Sequence, residues 1–302
     1  MNILVTGAWR AQPYMLEKIV ALGHEVTIMP DERGELPCDP QKIDGVICNG
    51  LFLYHDIDIF QNLKYIQLTS AGYDRVPMDI IKNRGITVNN ARGVYSIPMS
   101  EYALCGVLQL YKRSDIFRRN QDRKIWEKQR NISELYGKTV VIIGAGSVGS
   151  ECAKRFSAFG CKTVGIDLFP QENNCFDTVL PLGELDEALS QADIVVLTLP
   201  LTDESRGIMG KEAFLRVKDG AVLVNISRGA VVDTEEMISA LNSKKLSGAV
   251  LDVFDEEPLN CDSPLWSMEN VIITPHNSFV GEGNAERLFD LVYENIKKEK
   301  VK

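Results

Sequence analysis

Three apolar runs in the last third of the chain each end at a side chain with chemical capacity. Ala221-Val-Leu-Val-Asn-Ile-Ser227 runs into Arg228-Gly229, and Ser247-Gly-Ala-Val-Leu-Asp252-Val-Phe runs into Asp255-Glu256-Glu257-Pro258. Val271-Ile-Ile-Thr-Pro275 ends at His276. Each run reads as a buried strand, so an arginine, an acid and a histidine are delivered at successive strand ends. In open α/β sheets that is where ligands bind. A guanidinium grips a carboxylate in a planar fork and polarises a carbonyl. An imidazole gives or takes a proton near neutral pH. An acid beside it orients the ring and favours its protonated form.

A second constellation lies upstream. Val140-Val-Ile-Ile-Gly144-Ala-Gly146-Ser147-Val148-Gly149 leads from an apolar strand into a helix, Ser150 to Phe159, and the next strand, Lys162-Thr-Val-Gly-Ile166, ends at Asp167. This is G-x-G-x-x-G in its full context. Gly144 permits the tight turn, Gly146 lets the backbone approach a pyrophosphate, and Gly149 lets helix and strand pack closely. The helix N-terminus offers unpaired N–H groups and a positive dipole end to the phosphates. Asp167, 18 residues after Gly149, is placed to accept from both ribose hydroxyls. These features predict NAD as cofactor. With the strand-end set, they predict exchange of a hydride with an anionic carbonyl substrate. A lone arginine after a strand is ordinarily a surface charge, and Glu257 alone could be part of an acidic loop. Their order behind a nucleotide motif argues against that.

The elements that must position these groups alternate between strand and helix along the whole chain. Before the fingerprint, strands are predicted at Asn2–Thr6, Glu25–Met29, Gly45–Cys48, Lys64–Leu68 and Ile86–Asn89, with helices at Tyr14–Leu22 and Pro77–Asn83. A single long helix is expected from Pro98 to about Arg119. After the fingerprint, strands are predicted at Asp193–Leu197, Ala221–Asn225, Gly248–Leu251 and Val271–Thr274, and an amphipathic helix from Asn284 to about Lys298. Such alternation implies α/β architecture with parallel sheets covered on both faces, and 302 residues suit two domains. Thr6-Gly7-Ala8 imitates the start of a second nucleotide site. Ala11 and Pro13 stand where its glycines would be, so it reads as an ordinary turn. His24 reads as a solvated turn residue, and His55 as structural.

Composition narrows the setting. Lys and Arg number 33 against 42 Asp and Glu, a net charge of −9, which gives no electrostatic reason to bind nucleic acid or an anionic membrane surface. No apolar run approaches the roughly 20 residues that span a bilayer, and no signal peptide precedes the first strand. The seven cysteines include no C-x-x-C, and Cys48, Cys105 and Cys152 sit in apolar stretches. They read as buried free thiols of a reducing cytosol, with no metal site. The expectation is a cytoplasmic protein.

These residues carry a resemblance. Thr69-Ser-Ala-Gly-Tyr-Asp74, Asn90-Ala-Arg-Gly-Val-Tyr-Ser-Ile-Pro-Met-Ser-Glu101, Leu135-Tyr-Gly-Lys-Thr-Val140 with the fingerprint, Leu199-Pro-Leu-Thr202, Asn225-Ile-Ser-Arg-Gly229, Leu251-Asp-Val-Phe-Asp-Glu-Glu-Pro258 and Thr274-Pro-His276 follow in order. In this pattern the chain resembles the D-isomer-specific 2-hydroxyacid dehydrogenases along nearly its whole length. The resemblance implies Arg228 as substrate-binding arginine, His276 as general acid/base and Glu257 as its paired acid. It implies that the Ala71 and Gly72 amides hold the substrate carboxylate, as consecutive N–H groups in a tight turn can. It places Asp252 near the nicotinamide carboxamide, and Thr198, Pro200 and Ile226 along the cofactor. It implies a Rossmann domain (91–279) inserted into a flavodoxin-like substrate domain (1–90 and 280–302), and a homodimer formed through the nucleotide domain and its long first helix. Several positions depart from the common pattern. Tyr102 and Thr198 stand where histidine is frequent, and Asn277-Ser278-Phe279 replace small residues, Phe279 being able to narrow the pocket. Glycerate or hydroxypyruvate, glyoxylate, lactate and bulkier 2-oxo acids all remain open as substrates. Another reading is an NAD(H)-sensing, corepressor-like protein on the same fold, which the expected lack of a peptide-docking extension disfavours. A formate dehydrogenase relative fits less well, because that chemistry needs no proton transfer and so no Glu257.

Overall fold

The computed structural model describes residues 1–299, which fall into two compact units. One comprises Met1–Tyr95 together with the described residues from Gly281 onward, and the other Ser96–Val280.

The first unit opens with β1 (Asn2–Thr6), α1 (Pro13–Ala21), β2 (Glu25–Met29), β3 (Gly45–Cys48), β4 (Tyr65–Leu68), α2 (Met78–Arg84) and β5 (Thr87–Asn89). Its strands form one parallel sheet in the order β2-β1-β3-β4-β5. Side chains alternate across it, as a strand's two-residue period requires. Ile3, Val5, Ile47 and Tyr65 face one core, and Leu4, Val46, Cys48 and Ile66 face another. The first core is closed by Met15 and Ile19 of α1 and by Leu288, Phe289, Val292 and Ile296 of the C-terminal helix. Ile81 of α2 joins the second.

The second unit contains α3 (Ser96–Tyr111), α4 (Ser114–Asp122), β6 (Thr139–Ile143), α5 (Ser147–Ala158), β7 (Lys162–Asp167), β8 (Thr178–Pro181), α6 (Leu185–Gln191), β9 (Ile194–Leu197), α7 (Lys211–Arg216), β10 (Ala221–Asn225), α8 (Thr234–Asn242), β11 (Leu246–Leu251) and β12 (Val271–Ile273). The chain then returns to the first unit as α9 (Asn284–Glu299). All seven strands are parallel, in the order β12-β11-β10-β9-β6-β7-β8. Val140, Ile142, Val222, Val224 and Val250 face α3 and α5, while Val141, Ile143, Leu223 and Leu251 face the side of α6, α7 and α8. The sheets have the doubly wound orders of a flavodoxin-like and a Rossmann domain. Strand order reverses between β1 and β3 in the first sheet and between β6 and β9 in the second. Crevices at the carboxyl ends of the strands belong at these points.

Four expectations need correction. The single long helix is two, broken at Arg113, whose φ is 53°. The buried stripe of α3, Ser96, Ser100, Ala103 and Val107, ends because Lys112-Arg113-Ser114-Asp115 offer nothing apolar to continue it. α4 accordingly buries no residue. The strand β8 was not foreseen; it is a four-residue edge strand that ends in Pro181, where the missing N–H costs no ladder bond. His24 is buried rather than solvated, because the Glu25 amide donates to the Met1 carbonyl and brings the first residue over it, with the Met1 amino nitrogen 3.2 Å from Nδ1. Cys105 is exposed, since the face of α3 that meets the sheet is that of Ala103 and Val107. The seven cysteines are free, and burial pushes Cys152 up to about 12 and Cys161 up to about 11, so both are poor nucleophiles.

The α3–sheet contact gives the first prediction. A Cβ added at Gly106 would lie 2.5 Å from Val250 Cγ1 on β11, so α3 seats directly on the sheet. Gly106→Ala should lower stability by about 1–3 kcal/mol through overpacking, measured as a lower urea midpoint. G106A/V250A should be more stable than the sum of the single effects predicts, and strict additivity would refute the contact.

Candidate dinucleotide and catalytic site

The carboxyl end of β6 carries the glycine loop. Gly144 turns the chain with φ 105°, and a Cβ there would sit 2.6 Å from the Leu199 amide nitrogen. A Cβ on Gly149 would fall 2.0 Å from the Gly144 carbonyl oxygen. Both positions therefore demand glycine, one for conformation and approach, the other for the contact of α5 with the turn. Gly146 caps α5 in an extended conformation, so Ser147, Val148 and Gly149 form the first turn of the helix. The Thr198 hydroxyl donates to the Gly144 carbonyl at 2.7 Å and ties the loop to the end of β9. Asp167, at the end of β7, accepts the Ala145 amide at 2.9 Å and the Phe169 amide at 3.0 Å through different oxygens. The acid thus holds the loop from its far side, and each oxygen keeps a lone pair for a further donor.

Gly7 shows why its own glycine is no second nucleotide site. Its amide donates to the Met29 carbonyl, and a Cβ there would lie 1.9 Å from the Pro30 carbonyl oxygen. That close approach of β1 to the end of β2 is what requires glycine.

The second cluster gathers at the ends of β10, β11 and β12. Asn225 closes β10, accepting the Ser227 amide and donating to the Arg228 carbonyl, which fixes the turn that presents Arg228. The guanidinium is half-buried and donates to the Ser227 carbonyl. Gly229 follows because a Cβ there would meet the Phe254 carbonyl carbon at 1.9 Å. The arginine turn is thereby pressed against the acidic loop. In that loop Glu257 accepts the Phe254 amide on Oε1 and faces His276 Nδ1 with Oε2 at 2.8 Å. His276 is 38 % exposed and Glu257 37 %, so solvent reaches the pair. With Nδ1 committed, Nε2 is the nitrogen left to meet a substrate. The Phe279 ring stands edge-on to the imidazole, 5.9 Å between centroids.

His276 itself is in the left-handed region, φ 49°. That conformation disfavours a side chain with a Cβ, by about 1–2 kcal/mol. Asp252 stabilises it from two directions. Its carbonyl accepts the His276 amide at 2.8 Å, and its carboxylate accepts the Asn277 amide, the Ser278 amide and the Thr274 hydroxyl. Asp252 is fully buried. Its carboxylate is engaged with the histidine turn through both oxygens. Ile226 likewise lies in the core between the sheet, α3 and α5, whereas Pro200 is exposed and takes a hydrogen bond from Ser205 on its carbonyl.

The Ala71–Gly72 turn belongs to the first unit. The Asn90 side chain donates through Nδ2 to the Ala71 carbonyl, and the Ser70 hydroxyl donates to the Gly72 carbonyl. In a trans peptide the C=O and the next N–H point apart, so anchoring the Ala71 carbonyl on Asn90 turns the Gly72 amide away from it. Asn90, Asn225 and Thr274 were not foreseen as positioning groups. The usable signal was each one's place beside a turn-forming or strand-ending motif.

A family model described as "D-isomer specific 2-hydroxyacid dehydrogenase, NAD binding domain" matches residues 104–278, more than half of the chain. The chain belongs to this family. It is an NAD-dependent oxidoreductase, and residues 104–278 are its NAD-binding domain. It is 32 % identical over 287 residues to a glyoxylate reductase of Thermofilum pendens, an alignment covering 90 % of this chain and 83 % of that one. It is 34 % identical over 221 residues to a D-3-phosphoglycerate dehydrogenase of Archaeoglobus fulgidus, with 73 % of this chain aligned but only 42 % of that protein. A crystal structure of a D-isomer-specific 2-hydroxyacid dehydrogenase family protein from Aeromonas salmonicida superposes with a TM-score of 0.82 at 28 % identity, covering 97 % of this chain and 94 % of that one. Among the described residues no helix is long and apolar enough to cross a membrane, and no group of His, Cys, Asp and Glu is placed to hold a metal ion.

Proposed function

We propose that the protein interconverts a small 2-oxo acid, of the size of glyoxylate or hydroxypyruvate, and the corresponding 2-hydroxy acid, the D isomer where the product is chiral. The observation that carries this reading is the His276–Glu257 pair at 2.8 Å, beside the Arg228 turn at the ends of adjacent strands. The glycine loop fits a dinucleotide, since Gly144 and Gly149 let the turn after β6 pack closely on the start of α5, whose N-terminus faces a phosphate in such sites. Ser147, Val148 and Gly149 would meet the pyrophosphate, Asp167 the ribose, and Thr198, Pro200, Ile226 and Asp252 the length toward the nicotinamide; the bound cofactor supplies the hydride. Arg228 binds the substrate carboxylate and polarises the carbonyl. His276 Nε2 donates the proton to the carbonyl oxygen in reduction and takes it back in oxidation, while Glu257 holds Nδ1. In the first unit the Ala71 and Gly72 amides are assigned to the substrate carboxylate. Phe279 beside His276 favours a short substrate tail, and the likeness to a glyoxylate reductase supports the same size class.

Oxidation of NADH with a panel of 2-oxo acids tests the reading. The short acids should turn over fastest, and His276→Gln should lower kcat by about a hundredfold or more while NADH affinity is kept. Tight NADH binding with no turnover on any acid would instead favour a sensor.

Asp167 sets the cofactor. A 2′-phosphate at about 4 Å from its carboxylate would be repelled by about 1 to 4 kcal/mol per unit charge, a preference for NADH of about ten- to a thousandfold. Equal kcat/KM for NADH and NADPH would remove Asp167 from this role.

The same reading includes a homodimer formed through the nucleotide domain. Trp126, in the irregular segment after α4, is 98 % exposed, and Tyr136, ten residues on, is exposed as well. We propose that a second copy covers Trp126. Sedimentation should give twice the 33.7 kDa chain mass, and Trp126→Glu should shift it toward one. A wild-type protein that sediments as a single chain would end the proposal.

A further inference from the structure

Tyr102 lies on the face of α3 that packs against the second unit's sheet, and it is half-buried there. Its hydroxyl is 2.5 Å from Thr274 Oγ1, which is in turn 2.5 Å from Asp252 Oδ1. The direction of these bonds follows from the partners. Asp252 accepts N–H bonds at both oxygens, Asn277 at Oδ1 and Ser278 at Oδ2. Thr274 has one hydroxyl proton and gives it to that carboxylate, so toward Tyr102 it accepts. The phenol is therefore the donor, and the chain runs from Tyr102 through Thr274 to Asp252 and on to the amides that follow His276.

We propose that Tyr102 is a positioning residue for the acid/base histidine. It donates to Thr274, fixes the rotamer of the Thr274 hydroxyl on Asp252, and so fixes the carboxylate on which the left-handed His276 turn hangs. A phenylalanine would fill the same space between helix and sheet, so packing alone gives no reason for the hydroxyl. Burial keeps the phenol proton in place by raising its pKa, as a permanent donor requires. The Asp252 carboxylate is enclosed, so a loosened partner is not replaced by bulk water.

This inference rests on the role proposed for His276, and the experiment separates the two. Tyr102→Phe should lower kcat by about three- to tenfold, the worth of one hydrogen bond, with KM for the 2-oxo acid and Kd for NADH changed by less than about twofold. Thr274→Val should cost at least as much, and Y102F/T274V should be no slower than T274V alone, because both substitutions cut one chain. If T274V does not fold, T274A takes its place. Losses that multiply in the double variant, an unchanged kcat in Y102F, or a rise in KM with kcat intact would each overturn the positioning role. A His276→Gln variant as fast as wild type would overturn the underlying reading instead.

Discussion

One buried carboxylate governs the segment that follows β12 in the second unit. Asp252 closes β11 and receives, from the segment after β12, two amides and a hydroxyl. A carboxylate shut off from bulk water inside a protein is tolerated when hydrogen bonds replace its hydration, and here three do so. The bonds work in both directions. They make the buried acid tolerable, and the acid makes tolerable a histidine at φ 49°, a conformation the chain would otherwise leave. Remove either partner and the other is left in an unfavourable state. The orientation of His276 toward Glu257 is therefore a property of the β11–β12 edge, not of the histidine's own loop.

The same device recurs around the molecule. Parallel strands end with amides that the next element does not use, and an acid on a neighbouring segment collects them. Asp167 takes Ala145 in the glycine loop, Asp177 takes the Thr163 amide at the start of β7, and Glu32 takes both Asn49 and Gly50 in the first unit. Glu32 also accepts the Thr6 hydroxyl, so the turns after β1 and β3, which flank that sheet's reversal point, share one anchor. Loops that would be mobile are pinned by short charge-assisted bonds. Part of the chain's acidic excess is thus structural.

How much of this is legible in sequence depends on the range of the interaction. Strand runs such as Val140–Ile143 and Ala221–Val224 carry their own signal, because both faces of a parallel strand are buried and every residue is apolar. Gly144 and Gly149 of the fingerprint are legible because each answers a steric demand of the turn. β8 is illegible: Thr178–Pro181 is too short and too exposed for a pattern. The break at Arg113 is visible only when the apolar stripe is followed residue by residue, and the burial of His24 depends on a neighbour 23 positions away. Among site residues, Arg228, Glu257 and His276 announce themselves by type and by place at strand ends. Asp252 does too, but the resemblance points to the cofactor, and only the fold shows its carboxylate turned to the histidine loop.

The hydrogen-bond geometry also says what the site is sensitive to. Glu257 is held by the Phe254 amide on one oxygen and the imidazole on the other. Phe254 is in turn fixed by the approach of Gly229, whose neighbour is Arg228. The arginine turn thus lies against the backbone of the acidic loop, while Glu257 and His276 meet through their side chains. A change at Gly229 or Asn225 would disturb the turn that presents Arg228 and, through Phe254, the loop that carries Glu257. In the proposed reaction proton transfer and carbonyl polarisation act on the same oxygen, so an error of about 1 Å between their donors costs on the order of a hundredfold in rate.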